Sequence, residues 1–577
     1  MSGMRLTPLV LAGFAAGLPC TPLVAQLRSS RPIPAQQNLP RLLVANPHSF
    51  SAQDSTAAVR VGAGLRDRIE KSADRWFKVV LRAQMNEALQ QYAYPVDALL
   101  PPLVARQLGQ SLNARAMVVS TLQRGEGGRF TLEARLANMN DDAGFIVRAV
   151  QNPNESLEEF GARGADALSP AFRALQDAKA CDNQRATAAD KAAESAVKAL
   201  RVQPNHGLAE YCLAQLAIAK KAPVDTIIDH LKNATKGDRL SLPVWTALAV
   251  QYQAKGDSAA TIETFKEMLR VAPTNEALRK EAFRLFLGYG KPEAAEDVAR
   301  EGIANDAANA DLYDLLSSAC LFQDKPEKNK CAVDALVQVY ALDTTKADTT
   351  FYTKITFAAS RPPEDTARFL HWAQRGVAKY PQSGILLGQL AQAYSVAGPV
   401  DSALAVTIRL MAVDSSDLTP VLRLAQTLAD TSTKRVKDAL VLVPYVERLG
   451  SPEDKANLGA ILTTGSLPLL SGVPDYPAAA ELARASLKLL QPGSRTAQYA
   501  NYVLGLATFQ MLLAMDKEAF EQKSCDLVQK LKPMLDEALP ALTAGRAINE
   551  AIVAPRLQYL QEGVPNRIAQ LTKAFCK

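Results

Sequence analysis

The chain is poor in the residues that carry chemistry. It has four histidines, His48, His206, His230 and His371. None stands at a metal-ligand spacing from another histidine, a cysteine or a carboxylate, so no metal centre is expected. No Gly-x-Ser-x-Gly elbow occurs, and with it goes the signature of an α/β-type serine hydrolase. The glycine turn Gly125-Glu126-Gly127-Gly128 has no Lys-Ser or Lys-Thr behind it, which makes it a hairpin and not a phosphate cradle. The pair Asp141-Asp142 fits a turn. Beyond the first 25 residues no run is apolar over the length of a membrane span. Basic blocks are lacking too. The net charge is +6, but Lys and Arg alternate with Asp and Glu as on solvated helix faces, which argues against a nucleic-acid partner. The expectation is a chain without catalytic residues, cofactor or metal.

What the chain has is a pattern that returns about every 34 residues. Trp245, Leu248, Ala249 and Tyr252 stand at spacings of one helical face, with Phe265 and Pro273 following on a second helix. Leu387, Leu390, Ala391 and Tyr394 repeat the spacing, with Gly398 at the turn and Ala403 behind it. Repeat starts fall at 242, 276, 310, 350, 384 and 418. Hairpins starting near 173 and 207 fit upstream, through Ala192, Ala196, Ala199 and Pro204, then Leu213 and Ala214. The interval from 310 to 350 is longer than the rest, and the polar run Gln323 to Lys330 reads as a longer turn inside it. This pattern resembles the tetratricopeptide (TPR) repeat. The resemblance implies helical hairpins that must stack to bury their apolar faces, giving a right-handed α-solenoid with a groove.

The amino terminus reads as an export signal over 1–25. Arg5 is the positive region, Leu9 to Leu18 the apolar core, and Leu23-Val24-Ala25 the cleavage site. A lipoprotein at Cys20 is disfavoured, because Pro19 precedes the cysteine and Leu18 sits one position late. Residues 26–40, with Pro32, Pro34 and Pro40, are an extended Pro-rich linker. Export to the periplasm or beyond agrees with the cysteines. Apart from Cys20, six remain, an even number suited to disulfides, although six allow fifteen pairings. In a stack only near neighbours meet. Cys320 and Cys331 flank the long turn, Cys181 and Cys212 fall on first helices of adjacent hairpins, and Cys525 and Cys576 are placed to tie the last helix down. The alternative is six free core thiols.

Residues 41–178 have a different grain. Leu42 to Ala45 is a short strand; Ala58, Val61, Leu65 and Ile69 make one face of a helix. Phe77 to Leu81 is a strand and Pro102 to Leu112 a helix. Three strands follow, Ala116 to Leu122, Phe130 to Leu136 and Phe145 to Val150, with turns at 125–128 and at Asn140-Asp141-Asp142-Ala143-Gly144. A helix near 154–178 leads into the solenoid. The order β-α-β-α-β-β-β-α is a small α/β domain. With Gly64-Leu65, Leu108-Gly109, Met117-Val118-Val119 and Arg135-Leu136 before Gly144, it resembles the N-terminal domain of the TolB family and the FlgO and CsgG-like domains. Ala45-Asn46-Pro47-His48 departs from the apolar-to-Pro-Phe ending usual there. The resemblance implies an envelope protein and carries no catalytic residues. The solenoid is expected over 179–451, and degenerate helical repeats with a C-terminal cap over 452–577.

The whole is therefore expected to be mainly α, a TPR-like solenoid preceded by a small α/β domain. Its function is expected to be a non-enzymatic scaffold of a bacterial envelope that holds a protein or peptide. A second reading is an accessory subunit of an envelope assembly or secretion machine, docking through the α/β domain. A third is a ligand-binding receptor or an enzyme; a basic, phosphate-sized pocket in that domain favours the third, and an apolar exposed strand edge favours the second. In the TPR register, positions 2, 5, 9 and 12 of each first helix line the groove. They include Thr246, Gln253, Lys280, Arg284, Gln392, Ser395 and Gln426, a polar, amide-rich and locally basic set suited to an extended backbone or a carboxylate.

Overall fold

The computed structural model describes residues 39–139, 143–430 and 435–576. The expected export signal, Cys20, most of the Pro-rich linker and the turn residues Asn140, Asp141 and Asp142 lie outside them. The chain divides into two compact units, Met1–Asp257 and Ser258–Lys577.

In the first unit come β1 (Arg41–Val44), β2 (His48–Ser49), α1 (Ser55–Ser72), β3 (Lys78–Val79), α2 (Arg82–Gln91) and α3 (Pro102–Ser111). The long strands β4 (Ala114–Arg124), β5 (Phe130–Asn138) and β6 (Gly144–Val150) follow. The sheet order is β3-β1-β4-β5-β6, with β2 also against β4. β1 is parallel to β3 and β4, and β4, β5 and β6 form an antiparallel meander. Parallel neighbours need crossovers, which the helices supply. On one face Leu43, Met117 and Val119 share a core with Met85, Leu89 and Leu108 of α2 and α3. The other face carries α1 and α4 (Leu157–Gln184). These two helices nearly touch. A Cβ on Gly64 would lie 2.1 Å from the Glu158 carbonyl oxygen, and one on Gly161 2.2 Å from that of Val61. Helix α2 is an addition to the order that the sequence pattern predicts: only Met85, Ala88 and Leu89 turn inward, too few for a visible period.

α4 does not end with the sheet. It starts at a capping box of Ser156 and Glu159 and runs for 28 residues, with Ala171, Leu175, Ala178 and Cys181 buried in its second half. There it packs on α5 (Ala189–Val202), and a disulfide joins Cys181 to Cys212 of α6 (Gly207–Ala219). α7 (Val224–Gly237) pairs with α6, and α8 (Leu242–Lys255) closes the unit. The sheet reaches these hairpins through Arg135 of β5. Its guanidinium, 7% exposed, donates to Asp238, fully buried in the α7–α8 turn, at 2.9 Å and 2.8 Å. Arg239 pairs with Glu133 beside it.

The second unit is helical throughout its described residues. Hairpins α10 (Glu276–Gly288) with α11 (Pro292–Asn305), α12 (Ala310–Phe322) with α13 (Pro326–Leu342), α14 (Thr349–Ala359) with α15 (Thr366–Lys379), and α16 (Gly384–Ala397) with α17 (Val400–Val413) follow α9 (Ser258–Val271). Then come α18 (Thr419–Ala429), a 3-10 turn and the short α19 (Val443–Leu449), and the hairpin α20 (Pro452–Ser466) with α21 (Tyr476–Leu489). Long helices α22 (Arg495–Gln522) and α23 (Cys525–Gly545), then α24 (Glu550–Gln558) and α25 (Val564–Phe575), end the stack. α6, α8, α10, α12, α14, α16 and α18 each begin within one residue of the starts the repeat predicts. The cause is local: Asn275, Asn309, Asp348 and Ser383 stand just before α10, α12, α14 and α16 and accept from their first free N–H groups. One core cluster runs from Ala299 to Leu489. The fold is thus mainly α, a small sheet followed by TPR-type hairpins.

The long turn expected over 323–330 is not there. Pro326 starts α13 only four residues after Phe322, because a proline at the first helical position loses no hydrogen bond. The extra length lies in α13, which has 17 residues, and in the 3-10 turn Thr344–Lys346 before α14. Cys320 and Cys331 are bonded across the short turn, and Cys525 to Cys576 between α23 and the end of α25.

Candidate binding groove

The first helices α16, α18 and α20 present adjoining faces, and two clefts run along them. The first, about 360 Å³, is lined by Ile385, Gly388, Gln389, Gln392 and Ser395 of α16 and by Asp414, Asp417, Thr419 and Arg423. The second, about 460 Å³, is lined by Thr419, Leu422, Arg423 and Gln426 of α18 and by Asn457, Ala460 and Ile461 of α20. Thr419 and Arg423 belong to both. Gly388 keeps the floor of the first cleft low: a Cβ there would meet nothing nearer than Leu410 at 3.8 Å.

The polar groups differ in how far they are committed. Gln389 is fixed from below, accepting from Thr356 Oγ1 at 2.6 Å and donating to the Thr353 carbonyl at 3.3 Å. Ser395 donates to the Ala391 carbonyl at 2.9 Å. Asp414 accepts from the Ser416 N–H and hydroxyl, which hold its carboxyl below the usual carboxylate range. Asp417 accepts from the Thr419 N–H at 2.8 Å. Arg423 is exposed and forms no ion pair among the described residues. The groove thus offers amides at Gln392, Gln426 and Asn457, apolar contact at Ile385, Leu422 and Ile461, and one unpaired cation between the clefts.

The structure brings Gln392, Ser395 and Gln426 together and separates the other expected residues from them. Lys280 donates to Asp311 at 2.7 Å; Asp311 also pairs with Lys346, and the two lysines hold its carboxyl low. Arg284 donates to Glu281 of its own helix at 2.9 Å. Lys354 donates to Asp314 at 2.9 Å and to Ser318 at 3.1 Å. The two cations expected to face a ligand, Lys280 and Arg284 of α10, are therefore paired with carboxylates of their own surroundings, and Lys354 of α14 is paired in the same way. Thr246 and Gln253 lie in the first unit, both exposed, and the Thr246 hydroxyl is turned back to the Leu242 carbonyl at 2.9 Å. Arg423 and Asn457 escape the sequence reading because they occupy the sixth position of their repeats. The start of α20 at Pro452 continues the register from 418 and so brings Asn457 within reach, whereas no pattern in the sequence marks Arg423.

In the α/β domain a smaller apolar cleft of about 330 Å³ lies between α2 and α3, lined by Leu89, Tyr92, Tyr94, Leu100, Val104, Gln107 and Leu108. Tyr92 and Leu103 on the same surface are 58% and 68% exposed. No cluster of Lys or Arg lines this cleft.

No family model matches the chain, and no curated protein matches it. Solved structures similar to parts of it include a MamA protein, 20% identical over 30% of this chain and 90% of that one, with a TM-score of 0.25. Others are Naa15/Naa10 bound to HypK-THB, 14% identical over 70% and 68% with a TM-score of 0.35, and yeast Tom70, 11% identical over 69% and 96% with 0.22. Superpositions at this level carry no argument about the groove, and the fold rests on the hairpins themselves.

Proposed function

We infer that the chain is an exported, non-enzymatic scaffold of a bacterial cell envelope, which grips an extended protein or peptide segment along α16, α18 and α20. The observation that carries this reading is the pair of adjoining clefts. Their amides offer donors and acceptors to a peptide backbone, and their apolar residues offer contact to every second or third side chain. Three disulfides in a chain of this size speak for an oxidising compartment outside the cytoplasm. No described helix is long and apolar enough to cross a membrane. Export predicts a mature chain starting near Gln26 and released without detergent; mass spectrometry that finds a lipid-modified Cys20 as first residue refutes it.

The test of the groove is site-specific photo-crosslinking in an envelope fraction. A photoreactive residue at Gln392 or Gln426 should capture the partner, and Arg423→Glu, which reverses the charge between the two clefts, should reduce capture severalfold. Capture from Leu103 instead supports the second reading, docking through the α/β domain, which the exposed apolar surface at Tyr92, Tyr94 and Leu103 favours.

A further inference from the structure

The disulfide between Cys320 and Cys331 sits beside a buried ion cluster. Glu296 of α11, with 8% of its side chain exposed, accepts from Arg300 at 2.8 Å, Lys328 at 2.6 Å and Gln323 at 2.6 Å. Burial alone would raise the Glu296 carboxyl, but Lys328, Gln323 and Arg300 outweigh it and hold it at about 2. The carboxylate is therefore charged across the physiological range and keeps its cations in place. Arg300 faces two ways: its Nη2 also lies 3.6 Å from Cys331 Sγ. A carboxylate oxygen of Glu296 and both sulfurs lie within 4.8 Å of one another. Cys320 is buried at 1% exposure, whereas Cys331, early in α13, is half-buried.

A half-buried cysteine whose sulfur touches a guanidinium has the setting of a reactive thiol. The cation stabilises the thiolate, and access admits the attacking group. The other two disulfides lack this surrounding. Cys181 and Cys212 are both buried, and the contact on Cys525 Sγ is the neutral amide of Gln529 at 3.5 Å.

We propose that Cys320–Cys331 is a thiol–disulfide exchange centre, with Cys331 as the reacting sulfur and dithiols as its substrates. One thiolate of the dithiol attacks Cys331 Sγ. The S–S bond breaks, and its electron pair passes to Cys320 Sγ, which takes up a proton from solvent. The second thiolate attacks the dithiol's own sulfur in the mixed disulfide, and Cys331 leaves as a thiolate held by Arg300. Two electrons have moved from the dithiol to the cysteine pair, and the substrate departs as a disulfide. Arg300 is the positioning residue of this step and Glu296 anchors Arg300.

The test uses the full oxidised protein, exposed to limiting dithiothreitol or to a synthetic peptide with two cysteines, then trapped with N-ethylmaleimide and mapped by mass spectrometry. Cys320 and Cys331 should be trapped while the Cys181–Cys212 and Cys525–Cys576 peptides stay linked. Reaction with dithiothreitol alone assigns the centre to small dithiols; reaction with both extends it to proteins. In the reduced protein, the pH midpoint for alkylation of Cys331 should lie below the ordinary thiol value of about 8.5, rise by about one unit in Arg300→Gln and return in Arg300→Lys. Circular dichroism shows whether each variant is folded. Opening of Cys320–Cys331 together with or after the other bridges, or a wild-type Cys331 midpoint at the ordinary value, overturns the proposal.

Discussion

His206 shows how one residue can tie the stability of the first unit to pH. It is fully buried, its ring stacks on Phe145 with centroids 6.2 Å apart, and neither ring nitrogen has a partner among the described residues. Burial, slightly offset by its own backbone, takes the imidazole down to about 4. The unfolded chain takes up the proton first, near pH 6.5. Stability is therefore full above about 6.5 and falls as the pH drops to about 4, by roughly 3 kcal/mol in total. Urea midpoints of the wild type should fall over that window, and those of His206→Leu should fall less; equal slopes would show that the histidine is not buried neutral. At the same scale, Phe265 is 6% exposed and meets the fully buried Phe286 edge-on, centroids 6.4 Å apart. Phe265→Ala should cost about 3–5 kcal/mol, measured by thermal unfolding and protease resistance. Phe265 was legible in the sequence because it follows the face of Trp245, Leu248, Ala249 and Tyr252 on the second helix of the clearest repeat. His206 was not: a lone histidine in a loop carries no period, and its burial comes from β6, more than fifty residues upstream.

At the scale of elements, the first helices of the stack were legible because their apolar residues return at a fixed period, and at α10, α12, α14 and α16 a side-chain cap next to the helix fixes the start. Helix α2 and the short turn before α13 were not. In α2 the inward face has only three buried residues, and Pro326 lies within a polar run that resembles a turn although it occupies the one helical position that suits it. The α1–α4 contact was half legible. Gly64 belongs to the motif of the α/β domain, but its reason, a carbonyl of another helix where a side chain would stand, needs the fold. Gly64→Ala should force α1 and α4 apart, break the ion pairs Arg60–Glu158 and Arg68–Asp166 and cost about 1–3 kcal/mol as overpacking. A melting temperature within about one degree of the wild type would mean the helices have room. In the groove, Gln392, Ser395 and Gln426 were within reach of the register, whereas the pairing of Lys280 with Asp311 was not, since it joins helices of different repeats.

At the scale of the whole molecule, the boundary between sheet and solenoid is not a place where the chain can be cut. α4 belongs to both, Arg135 and Asp238 are buried on each other, and a disulfide fixes α4 to α6. A fragment of residues 39–178 should therefore be unfolded or aggregated when expressed alone, and residues 39–257 should fold. Arg135→Met alone leaves the Asp238 carboxylate buried without its partner and should cost about 3–5 kcal/mol, so the longer fragment should lose its cooperative transition with that change. Sharp, well-dispersed amide resonances from the shorter fragment would contradict this.

The bridge between Cys525 and Cys576 has a consequence for how this protein is taken apart. Its partners are 51 residues apart, and α23, α24 and α25 lie between them. A motor that pulls from the carboxyl-terminal side cannot draw these helices out in single file. It must pass two chains abreast or stall at the bridge, until a reductant opens it. Turnover of the molecule by a threading protease is in this way made to wait on chemistry.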